Sequence, residues 1–203
     1  MVQMFKTIKI ISLVLLTLTS VNMSSLAAFG EPVSLFLKSV RIAGQTNVNK
    51  FYLTYNPHQT REMILPANSA TDRMITFRIP VKKFESQNPL LTQDFIRFMR
   101  AGAHPYIEVM INKKQLTSLI PGTKSTHLPI KIDIAGQTQK VQSQYHTNHY
   151  PHNQMHIVGF VRIHLKDFNL EPPQKMMGLV QVQEKISIQF DVILSSQHTA
   201  SRQ

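Results

Sequence analysis

The sequence predicts an all-β protein, a single antiparallel β-barrel of about eight strands with one short α-helix. Three observations predict it. Apolar residues recur with a period of two in one segment after another, which is the pattern of a strand with one face in a core. These segments are short, and turn residues separate them at the intervals expected of a closed antiparallel sheet. Only one stretch, beginning near Thr92, has apolar residues at helical spacing.

Taken in order, residues 1–28 read as a secretory signal peptide. Lys6 and Lys9 lead into an apolar run from Ile10 to Leu18, and Ser25-Leu26-Ala27 offers small residues to a signal peptidase. The run is too short to span a membrane, which takes about 20 apolar residues. A periplasmic or secreted location follows as an expectation. Residues 29–194 then form one barrel domain, long enough to bury a sizeable core, and residues 195–203 a polar tail.

Phe36 to Ala43 alternates, with Phe36, Lys38, Val40 and Ile42 set against Leu37, Ser39, Arg41 and Ala43. A polar stretch, Gly44 to Asn49, leads to a second strand, Phe51 to Tyr55, that Asn56-Pro57 ends. Met63 to Leu65 and Arg73 to Pro80 follow; in the second, Ile75, Phe77 and Ile79 share a face. Phe84 to Pro89 reads as a loop. A helix is expected from Thr92, which can cap it, with Phe95, Phe98 and Met99 on its apolar face and Gly102 and Pro105 beyond its end. Ile107, Val109 and Ile111 alternate, as do Leu128, Ile130, Ile132 and Ile134. Pro121-Gly122 marks a turn, and Tyr145 to Asn153 reads as a polar, histidine-rich loop.

The last full stretch carries the strongest pattern. Met155, Ile157, Gly159, Val161, Ile163 and Leu165 share one face of a strand. Ile186, Ile188, Phe190, Val192 and Leu194 share one face of another. Pro172-Pro173 stops any strand between them, because neither proline can donate to a ladder. Gly178 permits a bend before a short strand, Leu179 to Gln183.

Composition removes several kinds of chemistry. The chain has no cysteine, so disulfides, zinc–thiolate sites and thiol catalysis are excluded. Its 22 basic and 11 acidic residues suit an anionic partner such as lipid phosphate. The positives are scattered and no nucleic-acid motif is present, so nucleic acid is not expected as a partner. Neither a nucleophile elbow nor a phosphate-cradling glycine loop occurs, and no carboxylate pair is marked by a motif. An enzyme is therefore not expected, and no cofactor. His146, His149, His152 and His156 are closely spaced, but no acidic residue or helix-borne motif supports them as metal ligands.

Four places, in the same order, resemble the YceI-like family of secreted lipid-binding, lipocalin-like β-barrels. Ile42 to Phe51 resembles the opening hairpin of the branch with a Thr-Asn-Val-Asn-x-Phe string, here Thr46 to Phe51. Leu91 to Glu108 resembles the family's helix and the string that follows it. Leu128 to Val141, with Gly136 and then Thr138-Gln139-Lys140-Val141, resembles its strand, glycine-containing turn and Thr-x-Lys-x-Val string, one residue short of the last. Leu165 to Leu179 and Ile186 to Leu194 resemble its closing strands. The family's better-known Asp-x-x-His-Ser opening is absent. In the matching branch two cysteines often stand where this chain has Leu53 and Ser86, so a disulfide that ties that rim there has no counterpart here.

The resemblance implies a lumen that holds a long isoprenoid lipid, of quinone or polyprenyl type, without a covalent bond. It also implies a transient membrane contact. Candidate lumen residues on the apolar faces are Phe77, Val109, Ile132, Val161, Ile163, Ile188 and Phe190. Phe95, Phe98 and Met99 of the helix join them, with Met176 and Met177, whose thioethers adapt to irregular shapes. The alternative is a structural or stress-related envelope protein with a filled core and no ligand.

Overall fold

The structure, a computed structural model, describes residues 33–57, 62–65, 74–124, 126–152, 154–175 and 180–196. The segment read as a signal peptide, Gly178 and residues 197–203 lie outside the described residues, as do Met176 and Met177.

Eight strands form one continuous antiparallel path. In sequence they are β1 (Val33–Gln45), β2 (Lys50–Tyr55), β4 (Met74–Pro80), β5 (Tyr106–Asn112), β6 (Thr126–Ile134), β7 (Gln137–Tyr150), β8 (Gln154–His164) and β11 (Lys185–Ser196). In space the order is β2-β1-β11-β8-β7-β6-β5-β4. A short strand, β3 (Glu62–Leu65), pairs with the first half of β1 while β2 pairs with its second half. Two-residue strands β9 (Gln174–Lys175) and β10 (Val180–Gln181) pair with each other. The sheet curls into a barrel. At one end its two edges meet, where Thr54 of β2 bridges Glu85 in the segment after β4.

The period-two faces of β4, β5, β6, β8 and β11 are those the alternation predicts. Ile75 and Ile79, then Ile107 and Ile111, then Leu128 to Ile134 at every second position, all point into the core, as do Met155 to Leu165 and Ile186 to Phe190. The final strand runs to Ser196, two residues into the stretch read as a tail.

Four expectations need correction. The alternation in β1 changes phase: Leu35 and Leu37 are buried, then Val40 and Ile42. The ladder to β11 slips between Leu37 and Ser39. A bulge at Lys38 inserts one residue, and one residue is enough to swap the faces. Phe36 therefore does not share the inward face of Val40. Second, Tyr145 to Tyr150 is strand, not loop. Ser143, Tyr145 and Thr147 point inward from β7, so its buried face is partly polar and gives no apolar alternation. Thr147 is held because its hydroxyl donates to Ile120 O (2.6 Å) and accepts from Thr123 N (3.0 Å).

Third, the helix α1 spans Pro89–Phe98 and starts before Thr92. Asn88 caps it, its side-chain oxygen accepting from Leu90 N at 3.0 Å. Pro89 occupies the first helical position, where its missing N–H costs nothing. Thr92 instead accepts from Ser86 N at 3.1 Å. Fourth, a second short helix, α2 (Lys113–Thr117), follows β5, capped by Asn112.

Candidate functional site: an apolar cavity under the helix

One end of the barrel, here the upper end, carries four covering segments: the β1–β2 turn, the 84–105 stretch with α1, the β6–β7 turn, and the excursion from Leu165 to Glu184. The β1–β2 turn is built by its own side chains. The Thr46 hydroxyl accepts from Asn49 N (2.8 Å) and Val48 N (3.2 Å) and donates to Asn49 O (3.0 Å). Asn47 faces the excursion: its N–H donates to Gln181 O at 3.1 Å, and its side-chain oxygen accepts from Gln181 N at 3.1 Å. The Thr-Asn-Val-Asn string thus folds a turn and ties it to β10. Val48 is left at the tip, 71% exposed.

Helix α1 sits across the same end. Phe84 is fully buried beneath it, with its ring edge-on to Phe95 (centroids 5.3 Å) and tilted against Tyr55 (5.9 Å). Gly44 makes room for another ring: a Cβ there would lie 2.2 Å from Phe51, its partner across β1 and β2.

Beneath α1 and between these segments lies a cavity of about 560 Å³. Its wall is made by Ile42, Phe51 and Leu53 from the first hairpin, Ile107 and Ile134 opposite, and Ile163, Ile186 and Ile188 from the closing strands. Leu91, Phe95, Phe98 and Met99 of the helix region roof it, and Leu165, Leu170, Pro173, Val180 and Val182 complete it from the excursion. Polar groups stand only at the mouth, among them Asn49, Lys50, Asn88 and Arg97. Arg97 is paired with Asp94 at 2.7 Å. The volume lies in the range of ligand pockets, about 300–1,000 Å³. An apolar chamber with a polar lip can take an amphiphile tail-first.

A second, smaller cavity of about 70 Å³ lies toward the lower end, above Leu116 of α2. Ser143 and Tyr145 are among its lining residues, and burial pushes the Tyr145 phenol above its ordinary value.

The sequence-predicted residues divide among these places. Phe95, Phe98, Met99, Ile163 and Ile188 line the upper cavity. Phe77, Val109 and Phe190 line the lower one. Ile132 and Val161 line neither and are packed in the core between them. Sequence reasoning missed several lining residues: Val48, Leu170, Val180 and Val182 belong to a turn and a crossing, where no periodicity marks them, and Leu90 to a helix turn that precedes the expected start at Thr92. Among the described residues no group of three or more histidine or acidic side chains is placed to hold a metal. His146 stacks on Phe160 (5.8 Å) and His156 hydrogen-bonds Asp191.

The fold was compared with known proteins. No family model matches the sequence, and no curated protein matches it. Among solved structures, a polyisoprenoid-binding domain from Saccharophagus degradans, implicated in plant cell wall breakdown, superposes with a TM-score of 0.61. The two share 10% identity over 81% of this chain and 98% of that one. The chain has the fold of that domain. BcnA from Burkholderia cenocepacia aligns at a TM-score of 0.46 with 14% identity, over 80% of this chain and 95% of its own.

Proposed function

We propose that this chain is an exported member of the YceI-like family that holds a long isoprenoid lipid, of quinone or polyprenyl type, in the upper cavity. The observation that carries this is the cavity itself: about 560 Å³ of largely apolar space inside a lipocalin-like barrel, bordered by the β1–β2 turn and α1. A barrel whose role was only structural would gain stability by filling that space, since unfilled volume costs packing energy. Each methylene buried contributes about 0.8 kcal/mol before ordering costs, so a tail alone supplies affinity. The polyisoprenoid-binding domain with the same fold supports the choice of ligand. Binding without chemistry is the role, and the periplasm or exterior the place, in keeping with the N-terminal segment read as a signal peptide.

The lip would be the part that meets a membrane. Val48 (71% exposed) and Leu90 (67%) stand on opposite sides of the mouth, beside Lys50 and Arg97. Apolar tips flanked by cations suit brief contact with an anionic bilayer surface.

The test is native mass spectrometry and lipid extraction of protein exported by its own host, wild type beside Ile163→Trp. An isoprenoid lipid should leave with the wild type and be depleted at least tenfold in the variant, which fills the cavity. Wild-type protein free of any lipid, from a host that makes isoprenoids, would favour the structural reading instead.

A further inference from the structure

The two cavities share no lining residue, and the residues between them occupy one level of the barrel. On β8, Ile163 lines the upper cavity, Ile157 and Gly159 the lower, and Val161 stands between. On β6, Ile134 lines the upper and Ile130 the lower, with Ile132 between. On β1, Ile42 lines the upper and Leu37 the lower, with Val40 between. These three middle residues are 1%, 0% and 1% exposed for Val161, Ile132 and Val40 respectively. On β5 and β11 the switch falls between consecutive inward residues, Ile107 to Val109 and Ile188 to Phe190.

We infer that Val40, Ile132 and Val161 form a floor that sets the longest tail the barrel accepts, a specificity determinant that rests on the lipid-binding reading above. Val40 on β1 lies six residues below Thr46 in the turn, on the order of 15–20 Å once strand rise and tilt are combined. A tail entering at the lip runs down that depth and meets three branched side chains. Two of them are β-branched valines and the third an isoleucine, so all three are stiff at χ1 and cannot swing aside by changing rotamer at low cost. Below them the lower cavity is apolar over most of its wall, with Phe77, Val109 and Phe190, but nothing reaches it from above. Removing methyl groups from the floor joins the two spaces and lengthens the chamber without altering the mouth.

The experiment titrates wild type, Ile132→Ala, Val161→Ala and the milder Ile132→Val with prenyl alcohols of increasing length, read by native mass spectrometry. In wild type, affinity should climb with each isoprene unit, at about fourfold per methylene buried, and then stop climbing at a defined length. In Ile132→Ala and Val161→Ala that break should move out by at least one unit, with binding of the short alcohols unchanged. Ile132→Val, which removes only one methyl and should fold normally, should raise affinity for the first alcohol beyond the wild-type break. Ile163→Phe, placed above the floor, should move the break inward. A break at the same length in every folded variant would overturn the floor while leaving lipid binding intact. No binding by wild type at any length would overturn both.

Discussion

Thr54 and Glu85 exchange two backbone hydrogen bonds, Thr54 N to Glu85 O at 2.8 Å and Glu85 N to Thr54 O at 2.9 Å. They are the bonds that join the two edges of the curled sheet beside the cavity mouth. In an antiparallel bridge of this kind the next residues, Leu53 and Ser86, lie opposite each other as a non-hydrogen-bonded pair. Those are the two positions where the branch that the sequence resembles often carries cysteines. Here Leu53 is 1% exposed and part of the core, and the Ser86 hydroxyl donates to Asn88 O at 2.7 Å, supporting the start of α1. Apolar packing and backbone pairing hold the seam in place of a covalent tie.

The double replacement Leu53→Cys with Ser86→Cys should therefore oxidise to a disulfide without moving the backbone, since facing Cα atoms of such a pair are about 4.5 Å apart. The oxidised form should exceed the reduced form in stability by about 3–4 kcal/mol, from closure of the intervening loop. Thiol titration and a pair of denaturant melts check it. A pair that stays reduced under oxidising conditions would mean the seam is open in solution.

Gly44→Ala should disturb the mouth selectively. Its Cβ would meet the Phe51 ring at 2.2 Å, so the ring must leave its place over the hairpin. A cost of about 1–3 kcal/mol is expected, with lipid retention reduced. The same cost in Gly44→Ala made on a Phe51→Leu background would show that the ring is not the obstacle.

Phe84→Ala and Leu90→Asp should separate core from lip. Phe84 is fully buried between Tyr55 and Phe95, so its loss should cost about 3–5 kcal/mol. Leu90 is 67% exposed in the first turn of α1, so the change there should stay within about 0.5 kcal/mol. Leu90→Asp should nonetheless weaken binding to vesicles rich in anionic lipid by about tenfold. Equal vesicle binding by wild type and this variant would remove the lip from membrane contact.

Stability should fall at alkaline pH in part through Tyr145. Burial raises this phenol above 10.0, so the unfolded chain releases its proton first. The folded state then binds more protons than the unfolded one, and stability declines as pH rises. The contribution is whole below 10.0 and is lost as pH climbs from there through the higher folded-state value. Denaturant melts of wild type and Tyr145→Phe should keep a constant separation below 10.0 and depart from it above, with the wild type losing more. Parallel curves would mean that Tyr145 reaches water.

The strands were legible wherever one face is uniformly apolar. Ile186, Ile188 and Phe190, and Met155 to Leu165 at every second position, face the core as the alternation requires, although Val158, Phe160 and Ile193 put apolar residues on the other face. Reading failed at specific chemistry. The bulge at Lys38 resets the phase of β1 within a sequence that looks unbroken. Ser143 and Thr147 point inward, with the Thr147 hydroxyl bonded to Ile120 and Thr123 far off in the sequence, so β7 shows no apolar alternation and reads as a loop. Asn88-Pro89 starts a helix that Thr92 seemed better placed to cap.

In β4, β5, β6, β8 and β11 sequence by itself determined which residues turn inward, because side-chain direction in an unbroken strand follows chain parity and needs only local information. It also determined the β1–β2 turn, whose hydrogen bonds lie within Thr46 to Asn49. What only the tertiary structure decided is which inward residues face a hole. Ile163 and Val161 are neighbours on one face, both branched and both buried, yet one lines the cavity and the other closes it. That difference depends on the level at which strands from distant parts of the chain bring their side chains together, and on the roof that α1 and the 165–184 excursion place over one end. Neither is encoded in the spacing of any single segment.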